Sequence, residues 1–109
     1  MVNIVIARDF SKMPFGRYIS DSPNSAERFR KEYLVPALKS GEREVVVDFT
    51  GINHGVGSSF LEEAFGGLVR KEGVPKSDIK AKLIIKSDLP FYKEQIIKFI
   101  EMASPENKS

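Results

Sequence analysis

Apolar residues recur along this chain in two rhythms, short unbroken runs and spacings of three and four. Asn3-Ile4-Val5-Ile6-Ala7 is a run of strand length. Phe15-Gly16-Arg17-Tyr18-Ile19-Ser20 reads as a second strand. It is expected antiparallel to the first, because the polar stretch Arg8 to Met13, punctuated by Pro14, is short. Asp21-Ser22-Pro23-Asn24-Ser25 signals a turn and a helix start, with Ser22 or Asn24 able to cap. Ala26, Phe29, Tyr33 and Ala37 then fall on one helical face. Pro36 lies inside that pattern and is expected to bend or split the helix near Val35, and Gly41 to end it. Arg43 to Phe49, with Val45-Val46-Val47 at its centre, predicts a strand buried on both faces.

A loop with three glycines follows, Thr50 to Gly57. Phe60, Leu61, Ala64, Phe65, Leu68 and Val69 then form the stripe of a second helix. Arg70 and Lys71 suit its negative C-terminal end, and Gly73 with Pro75 stops it. Lys82 to Lys86 is a fourth strand. Asp88 is the expected cap of a last helix that turns Tyr92, Ile96, Phe99, Ile100 and Ala103 inward. The predicted order is β-β-α-β-α-β-α in one α/β domain over residues 1–103, with a polar tail at 104–109. Strands joined through helices should lie parallel with right-handed crossovers. The opening hairpin would make this a four-stranded mixed sheet.

Composition narrows the function classes. The chain has 109 residues, 41% hydrophobic and 29% charged, which is an ordinary globular balance. A net charge of +2 is too small to argue for nucleic acid, and the aromatics sit at core spacings. There is no cysteine and one histidine, so neither thiol chemistry nor a histidine-based metal site is expected, and no cofactor. No apolar run approaches the ~20 residues of a membrane helix, and Met1 leads into a strand rather than a signal peptide. A cytoplasmic location is the resulting expectation.

The chemistry concentrates where the second helix begins. Ser58 and Ser59 sit at that start, where unpaired amides and about half a positive charge favour anions. A serine there can cap the helix, bind an anion or carry a phosphoryl group. Ser59 with Glu62 fits an S-x-x-E capping box. His54-Gly55-Val56-Gly57-Ser58-Ser59 is glycine-rich but lacks the G-K-[ST] ending of a phosphate loop and the G-x-G-x-x-G dinucleotide spacing. It is not a nucleophile elbow either, since Phe60 and Leu61 stand where glycine would be needed. His54 is a loop residue that could activate a serine only if the fold brought the two together. Asp48 is expected to bond to loop amides and hold the loop shape. Arg17, Arg28 and Arg30 are either an anion patch or a solvated face. Gly66-Gly67 in mid-helix costs helix stability and implies the close approach of another backbone, internal or a partner's.

These residues carry a resemblance. Val47-Asp48-Phe49-Thr50 and Gly57-Ser58-Ser59-Phe60-Leu61 resemble the strand end and the D-S-S-G-L helix opening of STAS domains, found in bacterial anti-sigma-factor antagonists and sulfate-transporter cytoplasmic domains. The chain is more closely similar to the STAS-like family of uncharacterised bacterial domains. The shared features are Gly16-Arg17, Phe29-Arg30 with Tyr33-Leu34-Val35-Pro36-Ala37-Leu38, and Ser58 to Gly67. The resemblance implies a STAS-like fold and a non-enzymatic regulatory module that binds a protein partner, a histidine-kinase-like ATPase in the antagonists. It also implies a phospho-acceptor at Ser59 by dipeptide match, or at Ser58 by distance from Asp48. Gly57 and Phe60 depart from the family's acidic residue and glycine. The expected docking loop comprises Asn53, His54, Gly55, Gly57, Ser58 and Phe60, supported by Asp48, Glu62, Gly66 and Gly67. The alternative reading is a small anion- or nucleotide-binding domain using the glycine loop and helix start at 55–60.

Overall fold

The computed structural model describes residues 1–53 and 55–106. Its sheet has three strands, β1 (Val2–Val5), β2 (Val45–Asp48) and β3 (Leu83–Lys86), in that spatial order and all parallel. The register aligns Ile4, Val47 and Ile85 on one face, and Asn3, Val46 and Ile84 on the other. Ile4, Val45 and Val47 are buried, whereas Asn3, Ile84 and Lys86 are exposed. The valine run of β2 is therefore packed hard on one face and only half-covered on the other at Val46.

The four-stranded mixed sheet expected from the sequence is not formed. The difference lies at Phe15 to Ser20, which is a loop. Its backbone groups serve a helix instead of a ladder. Gly16 O and Arg17 O accept from the amides of Ala26 and Glu27, and Phe15 N donates to Asn24 O. Gly16, at φ +88°, turns the chain in a conformation that favours glycine. The aromatic and β-branched residues that suggested a strand, Phe15, Tyr18 and Ile19, stay exposed. The link from β1 to this loop contains a single π-helical turn, Ile6–Phe10.

Helix α1 spans residues 26–38 and begins at Ser25, whose hydroxyl accepts from Arg28 N; neither Ser22 nor Asn24 is the cap. The disruption expected near Val35 takes the form of a π-helical turn, Arg30–Leu34, with Val35 N reaching Arg30 O. The helix then continues through Pro36 to Leu38. Helix α2 spans 58–70 and also widens into a π turn, at Glu62–Gly66. Helix α3 (Lys76–Lys82), which sequence periodicity did not reveal, leads directly into β3. Only Ile79 is buried on it, so there is no apolar stripe to read. Helix α4 (Pro90–Met102) starts after Leu89 without a side-chain cap, so Asp88 does not cap it. The buried face of the sheet and helices α1, α2 and α4 enclose one core, including Phe29, Leu34, Phe60, Phe65, Leu68 and Ile96.

Candidate functional site

Three parallel strands end together, which is where open α/β sheets place ligands and partners. Asp48 is the last residue of β2. Its Oδ1 accepts from Thr50 N at 2.9 Å, and Lys86 Nζ lies 3.8 Å from Oδ2. Burial alone would push its carboxyl up. Hydrogen bonds from Thr50 and the charges of Lys86 and Arg8 outweigh that and hold it below its ordinary 3.8. Asp48 is thus an ionised anchor that shapes the loop it precedes.

The loop itself is pinned from two sides. Asn53 N donates to Lys12 O at 2.9 Å. Val56 N donates to Tyr92 Oη at 2.9 Å, and the Tyr92 ring stacks on Phe49 with centroids 4.8 Å apart. Gly55 has φ +77°, and a Cβ there would lie 2.9 Å from Tyr92 Oη, so the glycine serves both the turn and the tyrosine. Asn53, Gly55 and Gly57 are exposed. His54, the other member of the expected docking loop, lies outside the described residues.

The helix start differs from the expected capping box. Gly57 is the N-cap, with no side-chain cap, and its carbonyl accepts from Phe60 N and Leu61 N. This register makes Ser58 and Ser59 the first two helical residues. Glu62 falls too far along to reach back to the cap. It turns instead to Arg17 Nη1 at 2.5 Å and Arg70 Nη1 at 2.6 Å. Burial would raise the Glu62 carboxyl, but bonds from those two arginines hold it below its ordinary 4.5. Ser58 and Ser59 are both exposed, and neither hydroxyl has a hydrogen-bond partner among the described residues. Phe60 is 2% exposed and packs on Phe29, so it supports the helix start from inside.

The loop at residues 11–22 flanks this surface. It is tied to it by the Lys12–Asn53 bond and by Arg17, which bridges Glu62 and Glu63. Met13 and Phe15 on this loop are 53% and 58% exposed. This loop thus carries exposed apolar side chains between its ties to Asn53 and to Glu62.

Behind the surface lies a set of ion pairs the sequence did not announce. Arg30 Nη1 donates to Glu63 O at 2.6 Å and Glu63 Oε2 at 2.9 Å, and Nε donates to Glu72 Oε2 at 2.9 Å. Arg30 and Glu63 are each 2% exposed. Arg70 Nη2 reaches Glu63 Oε1 at 3.4 Å. Arg17, Arg28 and Arg30 do not combine into an anion patch. Arg17 and Arg30 are taken by glutamates, and Arg28 pairs with Glu32 and lies over the Phe10 ring. Gly67 faces the Arg30 side chain rather than a backbone, whereas Gly66 faces the Glu62 carboxylate and the backbone carbonyl of Phe99 on α4. The legible signals were Arg30 beside Phe29 on the apolar face of α1 and Glu63 inside the apolar stripe of α2.

The arrangement presents two free hydroxyls at a braced helix start, with no acid–base pair beside them among the described residues. No described group of His, Cys, Asp or Glu could hold a metal ion. Among the described residues, no helix is long and apolar enough to cross a membrane. A search of the curated proteins and one of the solved structures returned no match. A family model does match, described as a STAS-like domain of unknown function (DUF4325), over residues 25–88. That span is more than half of the chain and runs from the Ser25 cap through β2, the serine-bearing helix α2 and β3. The chain belongs to the STAS-like family.

Proposed function

We propose that this protein is a non-enzymatic regulatory interaction module, similar to the anti-sigma-factor antagonists. A protein partner, of the histidine-kinase-like ATPase class, docks on loop 53–57 and the start of α2. The observation that carries the reading is the pair of exposed, unbonded hydroxyls at Ser58 and Ser59, on a surface flanked by the loop that carries exposed Met13 and Phe15. Serines with no bond to their own helix are available to a partner or to a phosphorylating enzyme. Exposed apolar residues on the flanking loop add the desolvated contact on which protein docking depends.

A phosphoryl group on Ser59 would act on docking rather than on folding. A helix N-terminus tolerates added negative charge, and the charge and bulk would stand on the docking surface. The anion-binding alternative finds less support, because Phe60 N already donates to Gly57 O and Val56 N to Tyr92 Oη.

The test is a pull-down from the source organism with wild type, Ser59→Ala and Ser59→Asp as bait, followed by calorimetry on the captured protein. The reading expects an ATPase retained by wild type and Ser59→Ala and lost from Ser59→Asp. Equal affinity of the captured protein for all three forms would remove the switch from Ser59. Capture of no ATPase would remove the proposed partner class.

A further inference from the structure

We infer that a second copy of this chain seats itself on the cleft between β3 and α4, forming a twofold-symmetric dimer. The cleft has a volume of about 470 Å³ and is lined by Ile84 and Ile85 of β3 and by Lys93, Ile97 and Glu101 of α4, among others. Ile97 is 45% exposed on α4, and Ile84, on the outward face of β3, is 41% exposed.

The strand that borders this cleft is a bare edge. β3 pairs only with β2, so the outer row of its backbone groups faces away from the sheet. The opposite edge is partly blocked, since Val5 N on β1 donates to the Asp9 side chain. No described loop or side chain bonds to the outer edge of Ile84 to Lys86. Among the described residues, the chain beyond α4 does not cover the cleft. It runs to the end of α2, where Glu106 N donates to Arg70 O and Glu106 pairs with Lys71.

The charge pattern identifies the occupant. Lys93, Ile97 and Glu101 are four residues apart in succession and share one face of α4. When this face meets its own copy antiparallel, about an axis through Ile97, Lys93 of each copy comes opposite Glu101 of the other. The isoleucines meet between the two pairs. The stripe is thus complementary to itself, whereas a peptide of one charge sign would be repelled at one end of it. Lys93 has no ion pair among the described residues; the Glu101 carboxylate holds the exposed Lys80, itself a lining residue of the cleft, an interaction of little worth to give up, while the Glu101 carbonyl accepts from Lys76 Nζ.

The same axis serves the sheet. An axis perpendicular to the sheet would set β3 antiparallel to β3 of the other copy and join two three-stranded sheets into one of six strands. It would keep both helix layers on the same side. The edge of β3 and Ile97 border one cleft, so the strand and helix contacts would lie on the same side of the molecule.

Sedimentation equilibrium of the full chain across micromolar concentrations tests this. The wild type should be a dimer. Ile97→Asp should be a monomer with unchanged circular dichroism. Lys93→Glu and Glu101→Lys should each weaken self-association by on the order of tenfold, through like charges placed face to face. The double variant carrying both changes should recover the dimer, because its pairs are merely reversed. Lys39→Glu, a charge change of the same sign away from the cleft, should leave the dimer intact. A wild type that stays monomeric at every concentration would overturn the inference. So would a dimer indifferent to the charge reversals, or a monomer whose cleft captures a foreign peptide.

Discussion

Arg30 occupies the space that a side chain at Gly67 would need. A Cβ on Gly67 would press into the guanidinium, with Cζ at 3.0 Å and Cδ at 3.1 Å. That guanidinium cannot swing aside cheaply. It is buried and held by Glu63 O, Glu63 Oε2 and Glu72 Oε2. The mid-helix glycine exists because an ion pair crosses from α1 to α2 at that point, and both helices widen into a π turn there.

Gly67→Ala should therefore destabilise by roughly 2–4 kcal/mol in a denaturant melt, despite alanine's better helix propensity. Gly66→Ala should be near neutral. Its closest neighbour is Glu62 Oε2 at 3.1 Å, the end of a side chain that need give only a few tenths of an ångström, and the Phe99 carbonyl at 3.5 Å is in ordinary contact. Equal losses at the two positions would show that the arginine is not the constraint.

Removing the arginine alone should be costly. Arg30→Met leaves Glu63 buried beside a carbonyl that has lost its donor, and a loss of about 3–5 kcal/mol is expected. In the double variant Arg30→Met, Gly67→Ala the two losses should fall short of their sum, because they share one contact. A double-mutant cycle reads this coupling directly.

Ser25 is a helix cap, whereas Ser58 and Ser59 carry free hydroxyls. Ser25→Ala should cost about 1 kcal/mol, because its buried hydroxyl holds Arg28 N at the start of α1. Ser58→Ala and Ser59→Ala should each stay within about 0.5 kcal/mol of wild type. A loss of cap size at Ser59 in thermal melts would return it to the structural role expected of a capping box.

Tyr92→Phe removes the acceptor of the buried Val56 amide and should cost about 1–3 kcal/mol. The effect should be local as well as global. Hydrogen exchange at Val56 should accelerate more than exchange in β2, because the tyrosine pins the loop to α4. Uniform acceleration across the chain would contradict this anchoring role.

Acid should weaken the junction of loop and helix through Glu62. Its native carboxyl binds protons less readily than the unfolded one, so the unfolded state takes up more protons as pH falls. The stabilisation is complete above the ordinary value of 4.5 and is lost as pH drops below it through the depressed native value. Glu62→Gln should flatten that part of the stability–pH curve in melts from pH 6 down to roughly pH 2. An unchanged slope would remove Glu62 from the acid response.

Local chemistry was enough to locate β2, the stripe of α2, the inward face of α4 and the family's serine-bearing segment. These elements carry their own periodicity, and burial merely completes it. Three β-branched residues at Val45 to Val47 and six apolar residues between Phe60 and Val69 point one way under any neighbours. Tertiary structure alone decided what the ambiguous segments became. Phe15 to Ser20 has strand-like composition, but its Gly16 and Arg17 carbonyls bond to the free amides at the start of α1 instead of to a ladder. Lys76–Lys82 has almost no apolar face and is a helix through its docking ahead of β3. Ser59 fits a capping box by spacing, yet the register of α2 was set from Gly57, and Glu62 was drawn away by Arg17 and Arg70. The physical reason is common to all three. Backbone amides, carboxylates and guanidinium groups take the partner that the assembled fold brings nearest, and that partner is set by the fold rather than by the local spacing, as the 10 residues between Gly16 and Ala26 and the 45 between Arg17 and Glu62 illustrate.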